Sequence, residues 1–264
     1  MNERRMPSPP ANPVDATSWE SAAASFPDPF RLIVRDRCTS TNDELRRLGE
    51  DGAPHGLVLV AHEQTGGRGR RGAPWHSVPG ESLVVSILLR PAEPVALWPR
   101  LSLAAGLAVA DAANDFGIRA LIKWPNDIWI GRRKAAGILV EAAAGFAIVG
   151  IGININSSGF PGELADTATS MKLELGAETS LAAWLGAVVG YLAARHVQIG
   201  SGFPVLLDAV RDRCALTGRR VILDSAAGRL TGTVTGIADD GALVLDTDHG
   251  KRNVIQASEV RLLD

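Results

Sequence analysis

Cysteine is nearly absent from this 264-residue chain: Cys38 and Cys214 stand alone, with no CxxC pair and no histidine-rich company. That excludes a disulfide framework and a cysteine-based zinc site, and it fits a reducing compartment. Aromatic residues make up 5% of the chain, too few for a surface that stacks nucleic-acid bases. Neither sign of charge dominates. The formal net charge is −2, so no global field attracts nucleic acid or anionic membrane, and any basic chemistry must be local. No apolar run reaches the roughly 18 residues that span a bilayer, because LSLAAGLAVADAANDFG is interrupted by Asp111, Asn114 and Asp115. The opening MNERRMPSPPANPVDATSW lacks the apolar core of a signal peptide and is poor helix material. These absences lead to the expectation of a cytoplasmic protein with no membrane partner, whose residues 1–30 form a disordered leader. Lysine is also scarce: Lys123, Lys134, Lys172 and Lys251 stand against a large excess of arginine.

What is present is an ample core, 46% hydrophobic, and a change of texture along the chain. RLIV reads as a strand from Arg31, and STNDELRRLG as a helix, with Thr41 and Glu44 spaced as a capping box and Gly49 as its stop. GLVLVAHE and SLVVSILLR read as strands, and a long helix is expected from Trp98 to Phe116. ALIKW, DIWI, AAGILVEA and GFAIVGIGINI are short strand-like runs joined by the tight turns PN, GRR and AAG, which suit antiparallel hairpins. Helical patterns follow over Leu181 to Ile199 and Phe203 to Cys214. The last fifty residues are short strands with Asp/Gly turns, the texture of a small β-barrel. The expected architecture is α+β, a mainly antiparallel sheet with packed helices over residues 31–215, followed by a barrel over 216–264.

Four stretches carry chemistry. TGGRGRRGAPW, Thr65 to Trp75, contains G-x-G-x-x-G through Gly67, Gly69 and Gly72. A dinucleotide fingerprint would need a helix straight after the loop and an acidic residue about twenty positions on; Pro74, Pro79 and Gly80 prevent the helix, and the downstream positions are Ile87 to Arg90. A kinase loop and a Walker loop fail for lack of their companion residues. What remains is a loop whose glycines admit close backbone approach while Arg68 and Arg70 offer forked donors to an anion; a solvated basic turn or a nucleic-acid segment fits the loop alone equally well. KWPNDIWI projects Lys123, Asn126 and Asp127 from one Pro-Asn corner, suited to a nucleotide phosphate with its metal. RKAAGILVE opens a strand with Lys134 and carries Gly137 where a close approach could occur. GIGINI thins a strand at Gly150 and Gly152 and follows with Asn154, a floor for a flat ligand.

Taken in order, STN, EQTGGRGRRGAPW, KWPND, RKAAGILVE and GIGIN resemble the biotin protein ligases, and the terminal barrel is similar to that family's SH3-like C-terminal domain. The resemblance implies a biotin/lipoate ligase-like catalytic domain that makes biotinyl-5′-AMP from biotin and ATP·Mg²⁺ and then acylates one lysine of a biotin carboxyl carrier protein domain. It implies biotin contacts at Ser40, Thr41, Asn42, Gln64, Gly67, Arg68, Lys134, Gly137, Gly150 and Gly152. It implies nucleotide contacts at Arg70, Trp75, Lys123, Asn126, Asp127 and Asn154, with Lys134, Arg68 and Arg70 as the catalytic cations and Mg²⁺ near Asp127 without a protein cage. Many family members carry a basic residue after the loop's last glycine, where this chain has Ala73 and Pro74. The short N-terminal stretch resembles the monofunctional class, without a DNA-binding domain, and a homodimer is a further expectation, since family members often dimerise. A lipoate ligase or octanoyltransferase shares the catalytic fold and is the near alternative; an RNA-binding module is the alternative of another class.

Overall fold

In the computed structural model, residues 19–225 and 228–263 are described. The elements in chain order are α1 (Trp19–Ala24), β1 (Arg31–Cys38), α2 (Thr41–Glu50), β2 (Leu57–Gln64), β3 (Ser82–Leu89), α3 (Leu101–Asp115), β4 (Leu121–Lys123), β5 (Asp127–Ile130), β6 (Arg133–Ala143), β7 (Phe146–Asn154), α4 (Met171–Leu175), α5 (Leu181–Arg195), α6 (Phe203–Asp212), β8 (Arg220–Ser225), β9 (Gly228–Ile237), β10 (Leu243–Thr247), β11 (Gly250–Val254) and β12 (Ala257–Leu262). Of the expected leader, residues 1–18 lie outside the described residues. Residues 19–30 are not a leader: they form α1, which packs on α5, and the buried Phe30. The apolar Ala22 and Phe30 give this segment a face to bury.

Seven strands form the main sheet in the order β1-β2-β3-β7-β6-β5-β4. Every pairing is antiparallel except β1 with β2, which α2 joins as a crossover. The hairpin turns follow their glycines: Ile130 pairs with Arg133 across Gly131 and Arg132, and Ala143 with Phe146 across Ala144 and Gly145, with Gly131 at φ 61° and Gly145 at φ 80°. The interior strand β3, SLVVSILL, is buried along its whole length, as a mostly apolar strand between two neighbours requires.

The two faces of the sheet are covered differently. On one, α3 and α5 build the large core. On the other, α2 lies over Leu59, Leu88, Phe146 and Ile148 and adds Leu45; each such fully buried side chain contributes about 1.5–3 kcal/mol. Gly49 does not stop α2. It sits inside the helix, where a Cβ would come within 2.6 Å of the Phe146 ring, and the helix runs on to Glu50. The N-cap is Ser40, whose hydroxyl accepts from the Asp43 amide, and Thr41 is freed for another task described below.

The long helix expected from Trp98 divides into a 3-10 stretch, Val95–Arg100, and α3. Together they make one helical run of 21 residues long and apolar enough to cross a membrane, and two-thirds of its most apolar window is buried inside the protein. Its one buried charge, Asp111, is paired with Arg195 at 2.9 Å and Arg213 at 2.7 Å, as a carboxylate in a core must be.

The C-terminal strands form a separate antiparallel sheet, β11-β10-β9-β8-β12. Its edge strands β11 and β12 are not paired with each other, so the expected barrel is an SH3-like sheet without a closed ladder among the described residues. Among the described residues it is fastened to the main body by Trp124 Nε1, which donates to the Gly241 carbonyl at 3.0 Å, by Arg211, which donates to the Ile237 carbonyl at 2.8 Å and pairs with Asp239 at 2.7 Å, and by Arg70, which donates to the Ala257 carbonyl at 2.9 Å.

Candidate active site

A cavity of about 650 Å³ opens between the Gly/Arg loop, the glycine-bearing faces of β6 and β7, the corner before β5, and β12. Of the expected site residues it is lined by Ser40, Thr41, Asn42, Gln64, Arg68, Arg70, Trp75, Lys123, Asn126, Asp127, Lys134, Gly137, Gly150 and Gly152. Gly67 and Asn154 fall outside the lining. Gly67 fixes the loop, its carbonyl accepting from the Trp75 amide at 2.9 Å. Asn154 is buried and braces β7, donating from Nδ2 to the Thr169 carbonyl at 3.0 Å.

One end of the cavity is neutral. Thr41 gives both its backbone N–H, at 2.8 Å, and its hydroxyl, at 3.0 Å, to the Gln64 carbonyl oxygen. Ser86 Oγ lies 2.7 Å from Thr41 Oγ1 and 2.6 Å from Asn42 Oδ1 and shares its one proton between them. Asn42 Nδ2 donates to Glu141 at 2.6 Å. Thr41, Asn42 and Ser86 are buried at the start of α2 and on β3, so their hydrogen bonds are enforced by the cost of leaving any of them unmade. Gly150 makes the arrangement feasible, since a Cβ there would meet Asn42 Oδ1 at 2.3 Å.

The other end is charged. Asp127 stands between Lys134, 2.7 Å away, and Lys123, 3.8 Å away. Lys134 is held by its own backbone: its N–H donates to the Thr167 carbonyl and its carbonyl accepts from Thr169, while a β-bulge at Ala135 in β6 sets it opposite Trp129. Burial pulls the Lys123 ammonium below the ordinary lysine range, only partly offset by Asp127. Arg70 crosses the cavity mouth, donating to Asn126 Oδ1 at 3.1 Å as well as to Ala257, and Asn126 Nδ2 is spent on the Ile138 carbonyl at 3.0 Å. The lining as a whole carries five cationic side chains, Arg68, Arg70, Arg71, Lys123 and Lys134, against the two carboxylates Asp127 and Glu259, a surplus that favours a polyanion.

Besides Gly67 and Asn154, two further placements differ from the sequence reading. The glycine floor carries a protein ring: Trp75 lies over β6 and β7, its indole 2.4 Å from where a Gly152 Cβ would stand and 3.1 Å from that of Gly137. Its Nε1 is a buried donor without a hydrogen-bond partner. Arg68, expected among the catalytic cations, is instead forked on both carboxylate oxygens of Asp43 with Glu141 at 3.4 Å. Sequence reasoning missed Asp43, Ser86, Glu141 and the β12 residues Ser258, Glu259 and Val260, which also line or brace the cavity. Glu141 closes the RKAAGILVE stretch and Asp43 directly follows STN, so a signal for both was in view; the others are joined to the site only by the fold.

Comparison with known proteins gives a consistent result. Residues 34–157 match the Biotin/lipoate A/B protein ligase family and residues 217–263 the Biotin protein ligase C terminal domain. The chain is similar to the Biotin--[acetyl-CoA-carboxylase] ligase of Mycobacterium tuberculosis, at 35% identity over 87% of this chain and 88% of that protein. It is 34% identical to the enzyme of the same name from Paracoccus denitrificans, over 85% and 97% of the two chains. Among solved structures it resembles the biotin protein ligase from Aquifex aeolicus in complex with biotin and ATP, with a TM-score of 0.80 and 31% identity over 88% of this chain and 98% of that one.

Proposed function

Because the chain belongs to the biotin protein ligase family, we propose that the shared cavity is where biotin and ATP meet, the neutral end holding the vitamin and the charged end the triphosphate. The enzyme activates biotin as biotinyl-5′-AMP and transfers the biotinyl group to a lysine of a biotin carboxyl carrier domain. In the first step a biotin carboxylate oxygen bonds to the α-phosphorus as the bond to the β-phosphate breaks and pyrophosphate leaves. In the second, the neutral carrier amine bonds to the biotinyl carbonyl carbon, the bond from that carbon to the bridging oxygen breaks, AMP departs with that oxygen, and the nitrogen releases one proton. Two anions must approach in the first step, so the site needs fixed cations more than a protein nucleophile. Arg70, Lys123 and Lys134 are those cations, with Lys134 reaching both the carboxyl and the α-phosphate. The observation that carries this reading is that Lys123, Lys134 and Arg70 share one cavity with Ser40, Thr41, Asn42 and Gln64.

Mg²⁺ enters as a companion of the triphosphate. The cavity offers it Asp127 and Glu259, and among the described residues no three His, Cys, Asp or Glu side chains gather to hold a metal; one or two carboxylates plus phosphates suit Mg²⁺. The neutral end matches biotin's ureido ring, which presents both donors and an acceptor to Ser40, Thr41, Asn42 and Gln64. We divide the chain into a catalytic part, 31–215, and a C-terminal part, 216–264, and assign the protein to the cytoplasm, where ATP and carrier domains are found. Lipoate is disfavoured by the C-terminal match to biotin protein ligases. A thioester route is disfavoured at Cys38, whose thiol burial and then Glu44 push up to about 11, leaving little thiolate at neutral pH. Incubation with biotin, MgATP and a purified carboxyl-carrier domain tests the reading by a biotinyl mass shift on the carrier. Pyrophosphate exchange with lipoate and none with biotin defeats it.

A further inference from the structure

The loop from Gly67 to Trp75 is bonded mainly to itself: Gly69 N donates to the Ala73 carbonyl at 2.7 Å and Trp75 N to Gly67. Its hold on the rest of the protein therefore falls to side chains, Trp75 on the sheet, Arg70 on one flank and Arg68 on the other. Arg68 reaches away from the loop to the first turn of α2, where both its terminal nitrogens meet the two oxygens of Asp43. Its NH2 also lies 3.4 Å from Glu141, and Glu141 in turn binds Asn42 at 2.6 Å and faces Arg46 at 3.6 Å. A forked guanidinium–carboxylate pair is the most direction-specific ion pair available to a protein. Glu141 extends it to Asn42 on the cavity wall, so the loop's position and the wall's geometry are one connected unit.

We propose that Asp43, seconded by Glu141, is a positioning residue that latches Arg68 and so keeps the 65–75 loop closed over the cavity, setting how long the acyl-adenylate is retained. The retention part rests on the biotin ligase reading; the latch itself does not. In this role Arg68 is neutralised by two carboxylates and acts through the loop, leaving the phosphate to Arg70, Lys123 and Lys134. The Arg68–Asp43 pair holds the Asp43 carboxyl below the ordinary aspartate range, with the hydrogen bond from Arg68 the chief cause, so the latch is intact at neutral pH and opens only in acid as Asp43 takes up a proton.

The loop carries its own reporter, since trypsin cleaves after Arg68, Arg70 and Arg71. Three full-length proteins are compared without ligand: wild type, Asp43→Asn, which keeps the shape and removes the charge, and Asp43→Glu, which restores it. A half-exposed bidentate pair predicts that Asp43→Asn is cut at the loop about two to five times faster, with an unchanged melting temperature, and that Asp43→Glu returns toward the wild-type rate. With biotin and MgATP, biotinyl-AMP leaves Asp43→Asn faster by a similar factor, while its rate of formation holds. Loop cleavage of Asp43→Asn at the wild-type rate, or of Asp43→Glu at the Asp43→Asn rate, overturns the latch. Faster cleavage with unchanged adenylate release overturns its role in retention. Absence of biotinyl-AMP from the wild type refutes the assigned reaction instead, and the trypsin comparison still decides the latch.

Discussion

The two ends of the cavity are built on opposite principles. At the Thr41 end the polar groups are bonded to one another: Gln64, Thr41, Ser86, Asn42 and Glu141 form one chain of bonds between 2.6 and 3.0 Å. At the Lys134 end positive charge is held in excess, with Asp127 the carboxylate shared by two lysines. On the proposed reading, the first end would select by shape and hydrogen bonding and the second by charge, where a phosphate would compete with a carboxylate already in place. That reading assigns specificity and reactivity to different physical forces within one cavity.

The largest test removes a cation from the charged end. Lys134→Ala is expected to lower the rate of adenylate formation by about 10²–10³, the range for deleting one preorganised charge contact, while far-ultraviolet circular dichroism stays unchanged because the ammonium is partly exposed; an adenylation rate within a few-fold of wild type would break the division of labour. At the neutral end, Gly150→Ala thrusts a methyl into Asn42 and should raise the KM for biotin about tenfold or more, as expected from about 1–3 kcal/mol of disrupted bonds, with the KM for ATP unmoved. A parallel rise in both constants would mean that the ends are not separable. Ser86→Ala leaves the Asn42 carbonyl short of a donor inside the core and should cost about 1–3 kcal/mol, read as a fall in melting temperature of roughly 2–4 °C per kcal/mol. The smallest effect is on pH. Lys123 titrates below the ordinary lysine value because burial disfavours its charge, so ATP affinity should decline as pH rises through that lowered value while biotin affinity holds. Stability moves the other way: between the folded and unfolded values the unfolded chain binds more protons, and stability increases with pH. Titrations of both substrates between pH 7 and pH 10 distinguish the two limbs.

How legible this was depended on distance along the chain. Hairpins set by Gly131 and Gly145, the buried run of β3 and the convergence of the five motifs could be read, because local turn chemistry and strand patterning determine them. The assignment of Thr41 as a cap failed because Ser40 is an equally good one, and only Gln64 and Ser86, brought in from β2 and β3, decide between them. Gly49 looked like a helix stop because glycine usually is one; here it is a clearance for Phe146, 97 positions away in sequence. Arg68 was read as a ligand cation for its forked donors in a glycine loop and for its place in the family motif, and the fold brings Asp43 and Glu141 to it. Glycines 137 and 152 did mark a close approach, but what approaches is Trp75.

The burial of α3 has a consequence for how the chain must be made. This helix is apolar on nearly every side, and its main helical partner, α5, begins 66 residues after α3 ends. While the protein is being synthesised from the N-terminus, α3 therefore leaves the ribosome well before Trp184 and Val188 exist to cover it, and Asp111 waits still longer for both Arg195 and Arg213. The interval between those two events is when the nascent polypeptide is most prone to aggregate or to engage a chaperone.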